Sequence, residues 1–252
     1  MTNLEIRERS SPNQKERTAP ARIDMLILHY TGMESAAAAL ERLCDPAARV
    51  SAHYLVEEDG TLWRLVPESR CAFHAGRSFW AGETDLNHVA IGIEIANPGH
   101  EWGYRPFPPP QMAAVETLCR DILARRSIPP DRILGHSDIA PDRKSDPGEL
   151  FDWPRLARAG IGIWPQPSPL APARRGEAIG AAERAAALAD LAAIGYCVEE
   201  GRERMALQAF QRRFRPALFN GRLDAETAIR LVELCAAFEQ SRRRKTFGRR
   251  TF

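Results

Sequence analysis

His29, Glu94, His136, Lys144 and Asp146 are the residues of this 252-residue chain whose types and positions could do chemistry together. His29 follows the apolar run Met25-Leu26-Ile27-Leu28, and His136 follows the short run Arg132 to Gly135. Both stand at the C-terminal ends of predicted strands, where open sheets place their sites. Asp146 comes ten residues after His136, inside the loop HSDIAPDRKSDPG. Two imidazoles and one carboxylate suit a single Zn2+ ion and leave a fourth position open, which marks a catalytic rather than a structural site. Glu94 is the one carboxylate in the middle of an apolar segment, VAIGIEIA, where an unpartnered charge is costly. A metal-activated water needs a base to take its proton as it attacks, and a carboxylate in such a site can be that base. Lys144 lies two residues before Asp146, so a turn can hold its ammonium toward a developing oxyanion. Spacing alone leaves open that the histidines are caps or core residues, that Glu94 is a salt-bridged structural carboxylate, and that Lys144 is solvated.

The elements that must position these groups read as a mixed α/β domain. The run from Ile23 to Leu28 predicts a buried strand, and Ala36 to Leu43 a helix. Ala52 to Val56 and Thr61 to Val66 flank the turn signal Glu57-Glu58-Asp59-Gly60 and predict a hairpin. Val89 to Ala96 alternates around Glu94, as a strand does when one face meets something polar. After Pro108-Pro109-Pro110, Gln111 to Arg126 predicts an amphipathic helix with Met112, Val115, Leu118, Cys119 and Ile122 on one stripe. Strands interleaved with helices imply a mixed central sheet flanked by helices over about residues 23–160. Residues 1–22 read as a polar lead-in, and residues 161–177, with Pro165, Pro167, Pro169 and Pro172, as a stiff linker that lets two domains act separately. Ala181 to Gly195, Glu203 to Phe214 and Asp224 to Phe238 predict a second, smaller three-helix domain over residues 178–238.

Composition narrows the function classes. With 44% hydrophobic and 27% charged residues the chain can bury a core, so a disordered chain is excluded. No apolar run approaches the roughly 20 residues of a membrane span. Met1 to Pro20 contains no apolar h-region, which leads to the expectation of a cytoplasmic protein. Five scattered cysteines without a CxxC speak against a disulfide framework and against a cysteine zinc site. The net charge of +2 conceals a basic tail, residues 239–252, with Arg242, Arg243, Arg244, Lys245, Arg249 and Arg250. Taking those six charges from +2 leaves −4 for residues 1–240. Such a tail can hold a polyanion by counterion release, or simply be a solvated end; no nucleic-acid partner is expected.

The segments LILHYTG, SAHYLVEEDG, FHAG, IGIEIANPG and GHSDIAPDRKSDPG, in that order, resemble the zinc-dependent N-acetylmuramoyl-L-alanine amidases of the amidase type 2 and peptidoglycan recognition family. The resemblance runs from about Met25 to Pro154 and is closest to the bacterial type with Asp as third ligand, where recognition proteins and phage enzymes use Cys. It implies one zinc ion on His29, His136 and Asp146, the acid/base role on Glu94, oxyanion stabilisation on Lys144, and a peptidoglycan or muropeptide substrate. Phage-type enzymes carry a reaction-centre tyrosine where this chain has Ala52, which throws the proton transfers onto Glu94. His53, His74, Arg77 and Asn87 are expected to line the substrate groove, Arg77 as a guanidinium fork for stem-peptide carboxylates. His88 and His100 read as surface or loop residues. ALQAFQRRF, followed by NGRLDAET, resembles a three-helix peptidoglycan-binding domain, with Leu207, Phe210, Phe214 and Leu218 as its core stripe. The expected activity is hydrolysis of the amide between the lactoyl group of N-acetylmuramic acid and L-alanine. A non-catalytic recognition protein and a zinc peptidase acting within the stem peptide are the alternatives.

Overall fold

The computed structural model describes residues 4–18, 22–165, 168–169 and 172–248, with no side chains described from 242 onward. In chain order the strands are β1 (Arg7–Glu8), β2 (Gln14–Glu16), β3 (Met25–Tyr30), β4 (Tyr54–Val56), β5 (Leu62–Arg64), β6 (Arg70–Ala72), β7 (Phe79–Trp80), β8 (Glu83–Thr84), β9 (Ala90–Ile95) and β10 (Ile133–Gly135). The helices are α1 (Ala36–Cys44), α2 (Gly99–Trp102), α3 (Pro109–Arg125), α4 (His136–Ile139), α5 (Trp153–Arg158), α6 (Ala181–Ile194), α7 (Glu203–Phe214) and α8 (Ala225–Gly248).

Six strands form one mixed sheet in the order β1-β5-β4-β9-β3-β10, parallel except for the β4–β5 hairpin. Side chains alternate faces along a strand, so β3 and β9 send two different sets of residues to two cores. Leu26, Leu28, Ile91, Ile93 and Ile95 meet Met112, Val115, Leu118, Cys119 and Ile122, the predicted stripe of α3. Complete burial of Val115, Leu118 and Ile122 contributes about 1.5–3 kcal/mol each. Proline in the first turn of α3 starts the helix, because its missing N–H would have had no intrahelical partner there.

The opposite face carries Met25, Ile27 and His29 on β3 and Ala90, Gly92 and Glu94 on β9. Its apolar half packs against α6, α7 and α8 through Leu191, Ile194, Leu207, Phe210, Phe214 and Leu231. The helices share one core with the sheet, which corrects the expectation of two domains acting separately across a linker. The reason lies in the stripe Leu207, Phe210, Phe214, which a bare three-helix unit would have to cover alone and which Met25, Ile27 and Trp80 cover instead. Leu218 falls beyond the end of α7 and is half-buried. Asp224 caps α8, its Oδ1 accepting the Thr227 N–H at 2.9 Å. That helix runs on to Gly248, past its expected end at Phe238. Pro167 and residues 249–252 lie outside the described residues.

Residues 1–22 were expected as a polar lead-in, and their described part is woven into the fold. β1 adds a parallel strand to β5, and β2 pairs antiparallel with β6. Ser11, Asn13 and Arg17 are buried, and Arg17 donates to the carbonyls of Glu68, Asn87, His88 and Ala90. Composition hides this because polar side chains that find backbone carbonyls can be buried as readily as apolar ones. Among the described residues no helix is long and apolar enough to cross a membrane.

Candidate active site

The parallel β3–β9 pairing places His29 opposite Glu94, so both project from the same face at the C-terminal end of the sheet. β10 runs beside β3 and delivers His136 as the first residue of α4. The loop after α4 then returns Asp146 to the two histidines. His29 Nδ1 stands 2.9 Å from His136 Nδ1 and 3.1 Å from Asp146 Oδ2, and His136 Nδ1 stands 3.0 Å from the same oxygen. All three residues are buried.

Three potential ligand atoms this close could share a cation at their centre. His136 Nε2 faces the Ala75 carbonyl at 3.1 Å, and a carbonyl can only accept, so this nitrogen carries a proton and Nδ1 is the atom turned to the centre. His29 Nε2 is engaged by His74 Nδ1 at 3.1 Å, leaving His29 Nδ1 to the centre. Ligand atoms on a tetrahedral ion at roughly 2.0–2.1 Å stand about 3.3 Å apart, so the triangle fits with a few tenths of an ångström of opening. Burial, with His136 beside it, pushes the His29 imidazole down to about 4, so it is neutral, the form that ligates. Burial works against ionisation of Asp146, yet the two imidazoles hold its carboxyl far below the usual carboxylate range. His29, His136 and Asp146 thus form a group that could hold a metal ion.

A cleft of about 190 Å3 opens on this group and is lined by Tyr30, His74, Glu94, His136, Lys144 and Asp146 among others. A second cavity of about 290 Å3 shares Tyr30, Thr31, Lys144 and Asp146 with it and extends toward Pro98 and His100. Glu94 Oε2 is buried with no hydrogen-bond partner among the described residues. Burial, reinforced by the Asp146 carboxylate, raises the Glu94 carboxyl well above its ordinary value, and Lys144 opposes the shift. The cleft therefore brings Glu94 and Lys144 to His136 and Asp146, and His29 joins them through its contacts with those two residues.

The other expected groove residues do not all reach it. His53 is fully buried; its Nδ1 accepts the Gly92 N–H at 3.0 Å and its Nε2 faces the Arg70 carbonyl at 3.1 Å. Burial, with Arg17 beside it, pushes that imidazole down to about 3. His74 packs behind His29, its ring against Gly92, where a Cβ would come within 2.4 Å of His74 Cγ. Asn87 turns its side chain to backbone N–H groups. Arg77 is largely exposed, pairs with Asp142, and lines a different cavity of about 210 Å3 together with Cys197 and Met205.

Residues that sequence reasoning passed over shape the rim and the support. Tyr30 Oη lies 2.9 Å from both His100 Nδ1 and Ser145 Oγ, and His100 stacks on Tyr104 at 4.3 Å. Asp138, two residues after His136, is buried; it accepts the Gly135 N–H at 2.8 Å, the Tyr196 hydroxyl at 2.5 Å and the Arg213 guanidinium at 2.6 Å. Tyr196 and Arg213 come from the helical region, whose link to the site no local spacing could signal.

Comparison with known proteins bears on the family. The family model described as N-acetylmuramoyl-L-alanine amidase matches residues 19–149. The N-acetylmuramoyl-L-alanine amidase AmiD of Escherichia coli K12 is 40% identical over 231 residues, 85% of this chain and 83% of the relative. The solved complex of E. coli AmiD with anhydro-N-acetylmuramic acid-L-Ala-D-gamma-Glu-L-Lys superposes with a TM-score of 0.74 at 38% identity, covering 87% of this chain and 91% of that one. AmpDh3 of Pseudomonas aeruginosa in complex with anhydromuramic pentapeptide gives a TM-score of 0.72 at 32% identity, covering 89% and 96%. With a match over half its length, and a relative this similar over most of both chains, the chain belongs to the N-acetylmuramoyl-L-alanine amidase family.

Proposed function

We infer that this chain hydrolyses the amide bond between the lactoyl group of N-acetylmuramic acid and L-alanine in muropeptides, with one zinc ion on His29, His136 and Asp146. The observation that carries the reading is the buried triangle of His29 Nδ1, His136 Nδ1 and Asp146 Oδ2, with an unpartnered carboxylate oxygen of Glu94 in the same cleft. Zinc, when bound there, supplies Lewis-acid polarisation of the substrate carbonyl and makes water a stronger acid.

This chain's own residues do the remainder. Glu94 takes the proton of the attacking water and returns it to the departing L-alanine nitrogen; its raised pKa suits a group that must both accept and release a proton. Lys144 lines the same cleft, and its ammonium is the group assigned to stabilise charge developing on the carbonyl oxygen. The adjoining cavity between Tyr30, Pro98 and His100 offers room for substrate beyond the reacting amide. Anhydro-muropeptides are the proposed substrates, since such ligands are bound in the solved AmiD and AmpDh3 complexes.

The test is incubation with an anhydro-muropeptide and identification of products by mass, before and after exhaustive chelation. Release of anhydro-N-acetylmuramic acid and the free stem peptide, abolished by chelation and restored by Zn2+, is expected. Full activity without metal, or cleavage inside the stem peptide, overturns the reading. The peptidoglycan-binding role of α6–α8 rests on the resemblance of residues 206–227 alone. Co-sedimentation with intact sacculi tests it, using Val232→Glu on the 59% exposed Val232 of α8 as the variant.

A further inference from the structure

A single turn, His74-Ala75, meets the outer nitrogens of both histidines of the metal group. His74 Nδ1 lies 3.1 Å from His29 Nε2, and the Ala75 carbonyl lies 3.1 Å from His136 Nε2. The turn is in turn fixed by one side chain: Asn87 Oδ1 accepts the N–H of His74 at 3.0 Å and the N–H of Ala75 at 2.8 Å. Asn87 is itself anchored through its backbone, its carbonyl accepting Arg17 Nη1 at 3.0 Å. The glycine at position 92 leaves the space that the His74 ring fills.

We propose that Asn87 is a positioning residue of the metal site: through His74 and Ala75 it sets the tautomer and orientation of both ligating imidazoles, and it does not act as a substrate contact. A metal-bound imidazole must keep its other N–H on an acceptor, and that acceptor sets its ring angle and its basicity as a ligand. Here two such acceptors sit on adjacent residues, so one carboxamide oxygen orders them together. Losing it frees the turn to rotate and detaches both imidazoles from their acceptors at once, although Asn87 touches neither ring.

The proposal rests on the zinc reading above, and the test separates the two. Purified parent, Asn87→Leu and Asn87→Asp are stripped of metal, checked for native folding by circular dichroism, and titrated with Zn2+ against a chromophoric chelator. Co2+ absorption then reports ligand geometry, and kcat and KM are taken on an anhydro-muropeptide at saturating Zn2+. The expected result is a loss of about 10–100-fold in Zn2+ affinity for Asn87→Leu, the range typical of outer-sphere partners, with an altered Co2+ spectrum. Asn87→Asp, which keeps an oxygen acceptor in place, should stay within about threefold of the parent, with the parental spectrum. A second pair guards against misfolding: His74→Leu should reproduce the loss, and His74→Asn, whose Oδ1 can stand in for Nδ1, should restore most of it. Unchanged Zn2+ affinity in folded Asn87→Leu, or a raised KM with an unchanged Co2+ spectrum, overturns the proposal. A parent chain that takes up no metal overturns the zinc reading as well.

Discussion

Replacing Arg213 with Met should destabilise the whole chain and the turn that carries His136 with it. Arg213 is 6% exposed and its partner Asp138 1%. The guanidinium donates to Asp138 Oδ2 at 2.6 Å and to the Ile133 carbonyl at 3.1 Å, and lies 3.9 Å from the Trp153 ring centroid. Methionine keeps much of the apolar stem and removes the charge, stranding a buried carboxylate. Breaking a buried pair in this way costs about 3–5 kcal/mol. Loss of a desolvated cation–π contact adds up to about 2 kcal/mol, while the Gly135 N–H and the Tyr196 hydroxyl still solvate Asp138 and bring the sum back toward about 3–5 kcal/mol. Asp138→Asn removes the stranded charge, so the double variant should recover much of the loss. The assay is urea unfolding of the metal-free chain at neutral pH for parent, both single variants and the double variant, so that metal binding does not enter the comparison. A cost under about 1 kcal/mol for Arg213→Met, or a coupling near zero across the cycle, refutes the reasoning.

Glu94→Gln should lower kcat by about 10²–10⁴ while zinc content stays at the parent level, whereas a parent-like turnover with zinc bound makes Glu94 a structural carboxylate. Lys144→Ala should retain zinc and lose about 10²–10³, concentrated in kcat; a raised KM with kcat unchanged would mark it as a ground-state substrate contact. Deleting residues 165–252 should give a protein that unfolds or aggregates, since it exposes Met25, Ile27 and Trp80 and strands Asp138; a stable, fully active fragment would show that the helices are dispensable. Glu68, buried against Arg125, Tyr54 and Arg126, has its carboxyl held below the ordinary value because these partners outweigh its burial. A lowered folded pKa means stability that is present above about 4.5 and is lost as pH falls from there through the folded value. Glu68→Gln should therefore flatten the acid limb of the stability profile; an unaltered acid limb counts against it.

The legible part of this molecule is what local periodicity and motif spacing encode. Period-two alternation around Glu94 correctly separates the face that carries Gly92 and Glu94 from the face that carries Ile91, Ile93 and Ile95. The stripe on α3 is the stripe that packs, and His29 and His136 do stand where their strands end. Long-range polar contacts were not legible. Arg17 reaches a carbonyl on residue 90, and Arg213 pairs with Asp138; neither side chain differs in type from an ordinary solvated arginine. Asn87 and His74 illustrate a subtler limit, since their types suit a substrate groove equally well and only the direction of their hydrogen bonds turns them toward the metal group.

The short strand β1 bears on self-association. Its two residues, Arg7 and Glu8, are exposed, and they cover the outer edge of the hairpin strand β5, with Glu8 also bridging to Arg64 at 2.8 Å. A sheet edge left bare offers unpaired amides and carbonyls as a template for another chain, and short, charged edge strands are a means by which proteins blunt it. The opposite edge, β10, is blunted differently, for its Ile133 carbonyl is already taken by Arg213. Trimming the chain up to Asp24 would thus uncover Leu62, Trp63 and Arg64 as an open strand and withdraw Arg17 from the interior. Such a fragment should pair edge to edge with its own copies, so that an amidase trimmed to its catalytic face alone is converted into an aggregating one.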